Sequence, residues 1–241
     1  MQARKHSGKA YDLAEKLNLS ESDILDFSSN LNPLGTPFKY MGCYTDPEKL
    51  VLASSDKFAQ YPDNRYLELR AAAASFAGKG LSLENIIPAN GSCEILRLAI
   101  QSVVNEEDLI IIPSPSSGQY RHLSEVFGAR VHSFTTKELL TLPKMTLDRA
   151  KIVIIQNPND PTGELVSHKS LEEFANRCAE HNTLLIVDES YIELADPQMS
   201  VADLTINNNY LLVIRSISNI IAMPGLRLAY GGPTRKNDKG F

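Results

Sequence analysis

The chain of 241 residues has no long apolar run: its longest uninterrupted aliphatic or aromatic stretch is Tyr210 to Ile214, far short of the roughly 18 residues a membrane span requires. It also lacks an excess of basic charge. Twenty-four Lys and Arg stand against 29 Asp and Glu, a formal net charge of −5, with no basic block, so nucleic acid finds no electrostatic footprint here. Cysteine is scarce. Cys43, Cys93 and Cys178 lie far apart in no metal-ligand spacing, which argues against structural zinc or a disulfide scaffold and favours a reducing cytoplasm. The first twenty residues mix Arg4, Lys5, His6, Asp12 and Glu15 with scattered apolar positions; without an apolar h-region or a small-residue cleavage site, export is not expected. Repeats and low-complexity tracts are missing as well. What is present, 43% hydrophobic and 22% charged residues with 13 Gly and 13 Pro, is the composition of an ordinary globular protein and excludes disorder as the main state.

From residue 66 onward, short apolar runs alternate with helical patterns in a way that reads βαβ. Candidate strands are Ile86–Ala89, Leu109–Ile112, Arg130–Ser133, Lys151–Gln156, Thr183–Val187, Tyr210–Arg215 and Arg227–Tyr230. Several are apolar on consecutive residues, the pattern of strands covered on both faces. The expected fold is α/β: three layers around a mostly parallel, seven-stranded sheet. Leu171, Phe174, Ala175, Cys178 and Ala179 recur at i, i+3, i+4, i+7 and i+8, a helix with one buried stripe, so Cys178 reads as core. Tyr66–Phe76 reads as a helix ending at Gly78-Lys79-Gly80. Residues 1–60, rich in Pro, Ser and Asn with turn signals at Asn32-Pro33 and Gly35, read as an arm and loops.

Four motifs carry chemistry. Gly91-Ser92-Cys93-Glu94 follows a strand and opens the apolar helix Ile95–Val104. Such a terminus presents free N–H groups and the positive end of the helix dipole to an anion, although Ser92 would equally serve as a plain N-cap. Asn157-Pro158-Asn159-Asp160-Pro161-Thr162-Gly163 follows another strand, and its prolines fix a rigid turn where α/β sheets place ligands. Asp188-Glu189-Ser190-Tyr191 puts a carboxylate and a phenol at one strand end. Together they could hold a heteroaromatic ring by its nitrogen and its ring oxygen, or be a helix N-cap and a rim tyrosine. The segment Arg215 to Arg227 places Ser216 and Ser218 after one strand and an arginine before the next, the groups a phosphate dianion needs.

In this order the motifs resemble the fold type I pyridoxal-phosphate enzymes, in the branch that holds threonine-phosphate decarboxylase and histidinol-phosphate aminotransferase. His6-Ser7-Gly8 and Phe27-Ser28-Ser29-Asn30-Leu31-Asn32-Pro33-Leu34-Gly35 look most like the decarboxylase, which belongs to cobalamin biosynthesis. The resemblance implies a large domain over 61–231, with 232–241 matching nothing and the small C-terminal domain missing. It implies that pyridoxal 5′-phosphate is held through the N–H groups at Gly91, Ser92 and Cys93 and by Ser216, Ser218 and Arg227. Asp188 is then expected at the pyridine nitrogen and Tyr191 at the ring oxygen. By the same resemblance, Tyr61 is lent to a neighbouring subunit, which implies a homodimer, and His6 and Asn32 face a phosphorylated amino-acid substrate.

Three positions depart from that pattern. The Schiff-base lysine should follow Ser218, and Asn219 stands there instead. An amide neither attacks a carbonyl nor accepts a proton at neutral pH, so covalent cofactor attachment is not expected. The other lysines nearest in sequence, Lys151, Lys169, Lys236 and Lys239, lie outside the motif. Asp160 replaces the asparagine that donates to the ring oxygen, and Ser117 replaces the aromatic that stacks on the ring; a lost stacking partner removes about 1 kcal/mol. Tyr120 remains nearby and reads as a packed core residue. Two readings stay open: a family member with little or no remaining chemistry, and a module that binds pyridoxal phosphate or a phosphorylated amino acid without transforming it. The apolar strands and the loops that follow them lead to the further expectation that Gly91, Asp160, Asp188 and Asn219 converge on one pocket.

Overall fold

The computed structural model describes residues 9–39 and 59–232. Its centre is one seven-stranded sheet of β1 (Ile87–Asn90), β2 (Leu109–Pro113), β3 (Arg130–Phe134), β4 (Ala150–Gln156), β5 (Leu184–Asp188), β6 (Leu211–Ser216) and β7 (Leu228–Gly232), in the spatial order β1-β7-β6-β5-β4-β2-β3. All pairings are parallel except those of β7, which runs antiparallel to both β6 and β1. The mostly parallel sheet is therefore as expected. Each strand differs from its expected bounds by one or two residues at one end or both; all but β4 run further at the carboxyl end, β5 and β6 by one residue, to Asp188 and Ser216. At β1, β5 and β6 the difference arises because apolar content marks the strand body, whereas the ladder continues into the polar residues Asn90, Asp188 and Ser216 at its end.

The helices are α1 (Lys9–Leu17), α2 (Leu67–Ala77), α3 (Ser92–Val103), α4 (Gly118–Val126), α5 (Thr136–Leu140), α6 (Lys144–Leu147) and α7 (His168–Glu180). Alternation along the strands sends side chains to two separate cores. Ile111, Val153, Ile155, Leu185, Val187, Leu211 and Val213 pack under α7, whose Leu171, Phe174, Ala175 and Cys178 form the stripe expected of it. Ile110, Ile112, Ile152, Ile154, Ile186, Leu212 and Ile214 pack on the other face against Ile95, Leu96 and Ile100 of α3 and Tyr120 of α4. Strands with both faces buried have no position for a polar residue, which is why the sequence runs apolar through them. Cys178 is fully buried, and desolvation pushes its thiol up to about 12, consistent with a packing role. Within the segment read as arm and loops, the described residues include α1 and single 3-10 turns at Glu21–Asp23 and Pro37–Lys39.

The chain path creates a crevice. β3 lies outside β2, and the connection to β4 then crosses back so that β5, β6 and β7 follow on the other side. The loops after β2 and β4 thus diverge at a topological switch point, beside the carboxyl ends of β5 and β6. No helix of the described residues is long and apolar enough to cross a membrane.

Candidate active site

In-register pairing aligns the strand ends: Gln156 of β4 lies opposite Asp188 of β5, whose neighbour across the ladder is Ile214 of β6. Beyond these ends is a pocket of about 690 Å³. Its lining brings together Gly91, Ser92, Cys93, Ser117, Asp160, Asp188, Tyr191, Ser216, Ser218, Asn219 and Arg227. Eleven sequence-derived site residues from five separate segments therefore share one cavity.

One end of the pocket is electropositive. The cap of α3 is Gly91, with φ 89°, and no side chain caps the helix. The expectation of Ser92 as N-cap is corrected: Ser92 is already the first helical residue, because the chain makes its sharp turn one residue earlier, where only glycine is unstrained. The leading N–H groups of α3 consequently lack intrahelical acceptors. Glu94 reaches back and accepts from the Asn90 N–H at 2.7 Å. Arg227 closes this end. It ends the turn Pro224–Leu226 in the left-handed region, with φ 51° and ψ 42°, an uncommon conformation for an arginine and one that tends to mark functional sites. The guanidinium lies so close over Gly91 that a Cβ there would sit 2.3 Å from Nη2. Ser218 Oγ donates to the Leu228 carbonyl at 3.1 Å, which ties the loop after β6 to β7.

The lining also carries three carboxylates, Asp26, Asp160 and Asp188. Asp188 is 2% exposed; Tyr120 donates its hydroxyl to Oδ2 at 2.8 Å, and Ser190 donates its N–H to Oδ1 at 3.0 Å and its hydroxyl to the same atom. Burial raises the Asp188 pKa while these donors pull it down. The alternative of Asp188 as a helix N-cap is corrected, since the carboxylate closes a local turn onto Ser190 ahead of the 3-10 turn Ile192–Leu194. Tyr120 packs in the core as expected, but the sequence reading missed its hydroxyl. The only signal was a phenol where a phenylalanine would have filled the same space. Burial and the adjacent Asp188 drive its pKa well above the ordinary value.

Tyr191 is half-buried, with its hydroxyl between the side chains of Asn30 and Asn219, and burial raises its pKa. Asp160 N–H donates to Gln156 Oε1 at 3.0 Å, which holds the loop after β4 against the strand it leaves. Ser117 caps α4, its hydroxyl accepting from the Gln119 N–H at 3.4 Å. Cys93 Sγ donates to Gln119 Oε1 at 2.7 Å. Gln119, Gln156 and the segment Ser28 to Leu31 also line the cavity.

Three expected residues are not in the lining. Asn32 is spent on the loop that carries Asn219: its N–H donates to the Asn219 carbonyl at 3.0 Å and Nδ2 to the Ile220 carbonyl at 2.8 Å. Tyr61 is fully exposed on this chain. His6 lies outside the described residues, as do Cys43, Lys236 and Lys239. No lysine lines the pocket among the described residues: Lys151 is exposed on β4, and Lys169 faces Glu173 on α7. The described residues also contain no group of three or more His, Cys, Asp or Glu suited to a metal ion.

The family model described as aminotransferase class I and II matches residues 16–233. The chain belongs to that family. Among curated relatives, the histidinol-phosphate aminotransferase of Moorella thermoacetica is 28% identical over 220 residues, covering 88% of this chain and 54% of the relative. The threonine-phosphate decarboxylase of Salmonella typhimurium is 28% identical over 232 residues, covering 93% and 60%. Among solved structures, the histidinol-phosphate aminotransferase from Clostridium acetobutylicum superposes with a TM-score of 0.71 at 29% identity, over 88% of this chain and 61% of that one. A fold match at 20% identity, from Sinorhizobium meliloti, was solved in complex with pyridoxal-5′-phosphate. The chain spans between 54% and 60% of the length of these two curated relatives. Aminotransferases of this family depend on pyridoxal phosphate, and the α/β fold of this chain is theirs.

Proposed function

We propose that this chain holds pyridoxal 5′-phosphate, or a closely related phosphorylated pyridine, without covalent attachment and with little or no turnover of amino acids. One observation carries the reading: Asn219 lines the pocket at the position where the family pattern has its lysine, and no other lysine of the described residues reaches that lining. The remaining groups fit the cofactor in part. The uncapped start of α3 with Arg227 suits a phosphate dianion, because free helix N–H groups and a guanidinium both favour that charge. A buried carboxylate with three donors suits a protonated pyridine nitrogen. The covalent anchor does not fit.

When bound, the cofactor supplies an electron sink for bonds at the α-carbon of an amino acid. The residues of this chain would do the following around it. Arg227 and the N–H groups of Ser92 and Cys93 bind the phosphate. Asp188, held in orientation by Tyr120 and Ser190, keeps the ring nitrogen protonated. Tyr191 donates toward the ring oxygen. Asn219 offers hydrogen bonds but moves no proton at neutral pH, and Ser117 gives the ring face no aromatic cover.

The run Phe27 to Gly35 tilts the ancestral substrate class toward threonine phosphate in cobalamin biosynthesis, with histidinol phosphate as the alternative. The 28% identity to relatives of both names leaves that tilt resting on the motif. We further propose a cytoplasmic homodimer in which Tyr61 reaches the neighbouring pocket; light scattering that shows a stable monomer at high concentration would count against it. The reading of non-covalent binding is tested by mixing the chain with one equivalent of pyridoxal phosphate, reducing with borohydride and measuring intact mass. No stoichiometric addition is expected. One cofactor fixed per chain, mapped by peptide digestion to a residue near the pocket, would overturn it, as would turnover of either phosphorylated amino acid.

A further inference from the structure

The charges that line the pocket are arranged asymmetrically. Arg227 lies at the α3 end, where it packs on Gly91, whereas Asp160 and Asp188 leave the neighbouring strands β4 and β5. The lining holds a third carboxylate, Asp26, whose Oδ1 accepts from the Ser28 N–H and hydroxyl, and the three differ in their company. Asp188 accepts three hydrogen bonds, from Tyr120 and Ser190, and keeps acceptor capacity for one more, while the hydrogen bond that places Asp160 is made by its backbone N–H, and no hydrogen bond or ion pair among the described residues reaches its carboxylate. Asp160 is nonetheless close enough to Asp188, Tyr120 and Tyr191 to raise the pKa of each. It is half-buried and faces the cavity. Against the single arginine that lines it, the pocket thus sets three carboxylates, Asp26, Asp160 and Asp188, and offers them to more than one positive charge.

We propose that the pocket selects the amine form of the phosphorylated pyridine, pyridoxamine 5′-phosphate, over the aldehyde form, and that Asp160 is the residue that decides the preference. The inference rests on the reading that the site holds a phosphorylated pyridine, and it deepens that reading. The two forms share the phosphate and the ring, so Arg227, the start of α3 and Asp188 treat them alike. Asn219 and Tyr191 are also neutral toward the choice, because an amide and a phenol each have both a donor and an acceptor. The aldehyde oxygen only accepts, and a carboxylate in the same cavity repels it. A primary ammonium supplies a second positive charge and pairs with Asp160, whose carboxylate has no hydrogen bond or ion pair among the described residues. With asparagine at this position the side chain would be neutral and would discriminate weakly. With lysine at 219, the cavity would already hold its second cation. Asn219 and Asp160 together therefore invert the charge preference of the ring end.

The test is calorimetric titration of the full chain with pyridoxamine 5′-phosphate, pyridoxal 5′-phosphate and pyridoxine 5′-phosphate. The last is a neutral comparator that cannot react with surface lysines. The amine form is expected to bind about tenfold more tightly than the aldehyde form, the scale of one partly exposed charge pair gained and one repulsion avoided. Pyridoxine phosphate should fall between them. Asp160→Asn should bring the amine and aldehyde forms within about threefold of each other, and Asp160→Glu, which keeps the charge, should retain the preference. Equal affinities in the parent chain, or a gap that survives Asp160→Asn, would overturn the inference while leaving non-covalent binding intact. Failure of all three compounds to bind would overturn the binding reading itself, and this inference with it.

Discussion

Replacing Tyr120 with phenylalanine deletes one atom from the core and isolates its electrostatic role. The hydroxyl donates to Asp188 Oδ2 at 2.8 Å, and the two residues are 0% and 2% exposed. Phenylalanine refills the ring volume, so no cavity beyond one oxygen is created. A hydrogen bond to a charged buried acceptor is worth about 1.5 to 3 kcal/mol, and one between neutral partners about 1 kcal/mol. The cost should therefore depend on the charge of Asp188. Burial raises the Asp188 pKa above its unfolded value, and the Tyr120 hydroxyl acts against that rise. The variant should raise it further. A carboxyl whose folded pKa lies above its unfolded one disfavours the folded state increasingly as pH climbs from the unfolded pKa through the folded one. Tyr120→Phe enlarges that penalty, so its destabilisation should be about 1 kcal/mol under acid conditions where Asp188 is protonated. It should grow to about 2 kcal/mol or more where Asp188 is ionised. For a chain of this length the larger figure corresponds to roughly 4 to 8 °C in Tm. Urea unfolding of both proteins across pH 4 to 9 measures the difference directly. A loss that stays constant across that range would show that the hydroxyl does not act through Asp188, and a loss below about 0.5 kcal/mol throughout would show that the bond contributes nothing net.

Gly91→Ala should weaken binding of pyridoxal phosphate by about tenfold or more, because φ 89° and a Cβ 2.3 Å from Arg227 Nη2 force the guanidinium away from the start of α3; unchanged affinity by titration would refute the paired role of the two residues. On the proposed reading, Asn219→Lys should permit covalent capture of the cofactor without giving turnover of threonine phosphate or histidinol phosphate, since Asp160 would still face the ring oxygen, Ser117 would leave the ring face uncovered, and misorientation alone can remove powers of ten in rate. Robust turnover by that single substitution, compared with a chain also carrying Asp160→Asn and Ser117→Phe, would contradict this. Glu189 is fully buried beside Arg215, accepting from Ser200 Oγ and the Val201 N–H at 2.7 Å each, and burial pushes its pKa up to about 7. Being raised, it disfavours the folded state by up to about 3 kcal/mol as pH rises from 4.5 to 7. Glu189→Gln should flatten that part of the stability curve, and parallel curves for the two proteins would refute it.

The buried sheet was legible because strands covered on both faces tolerate nothing but apolar residues, so Lys151–Gln156 and Tyr210–Arg215 stand out in one dimension. The stripe Leu171, Phe174, Cys178 was legible for the same reason at helical spacing. The pocket set was legible through motifs, since a glycine before a helix, prolines after a strand and hydroxyls before an arginine each have a chemical purpose at a strand end. The short helices α5 and α6 were not, because four or five residues are too few to establish a period.

By itself, then, the sequence determined which chemistry is within reach: it has groups suited to a phosphate, a carboxylate at a strand end and no lysine at 219, and no folding can change an amide into an amine. Only the tertiary structure decided which groups act together. Tyr120 and Asp188 are 68 residues apart and share a hydrogen bond. Asn32 turned out to hold the Asn219 loop instead of lining the cavity. Arg227 presses on Gly91 across β7 and β1, two strands that pair antiparallel at the edge of the sheet. The physical reason is that hydrogen bonds and charge pairs depend on distance in space, and separation along the chain carries no record of which strand ends the crossover from β3 to β4 will bring side by side.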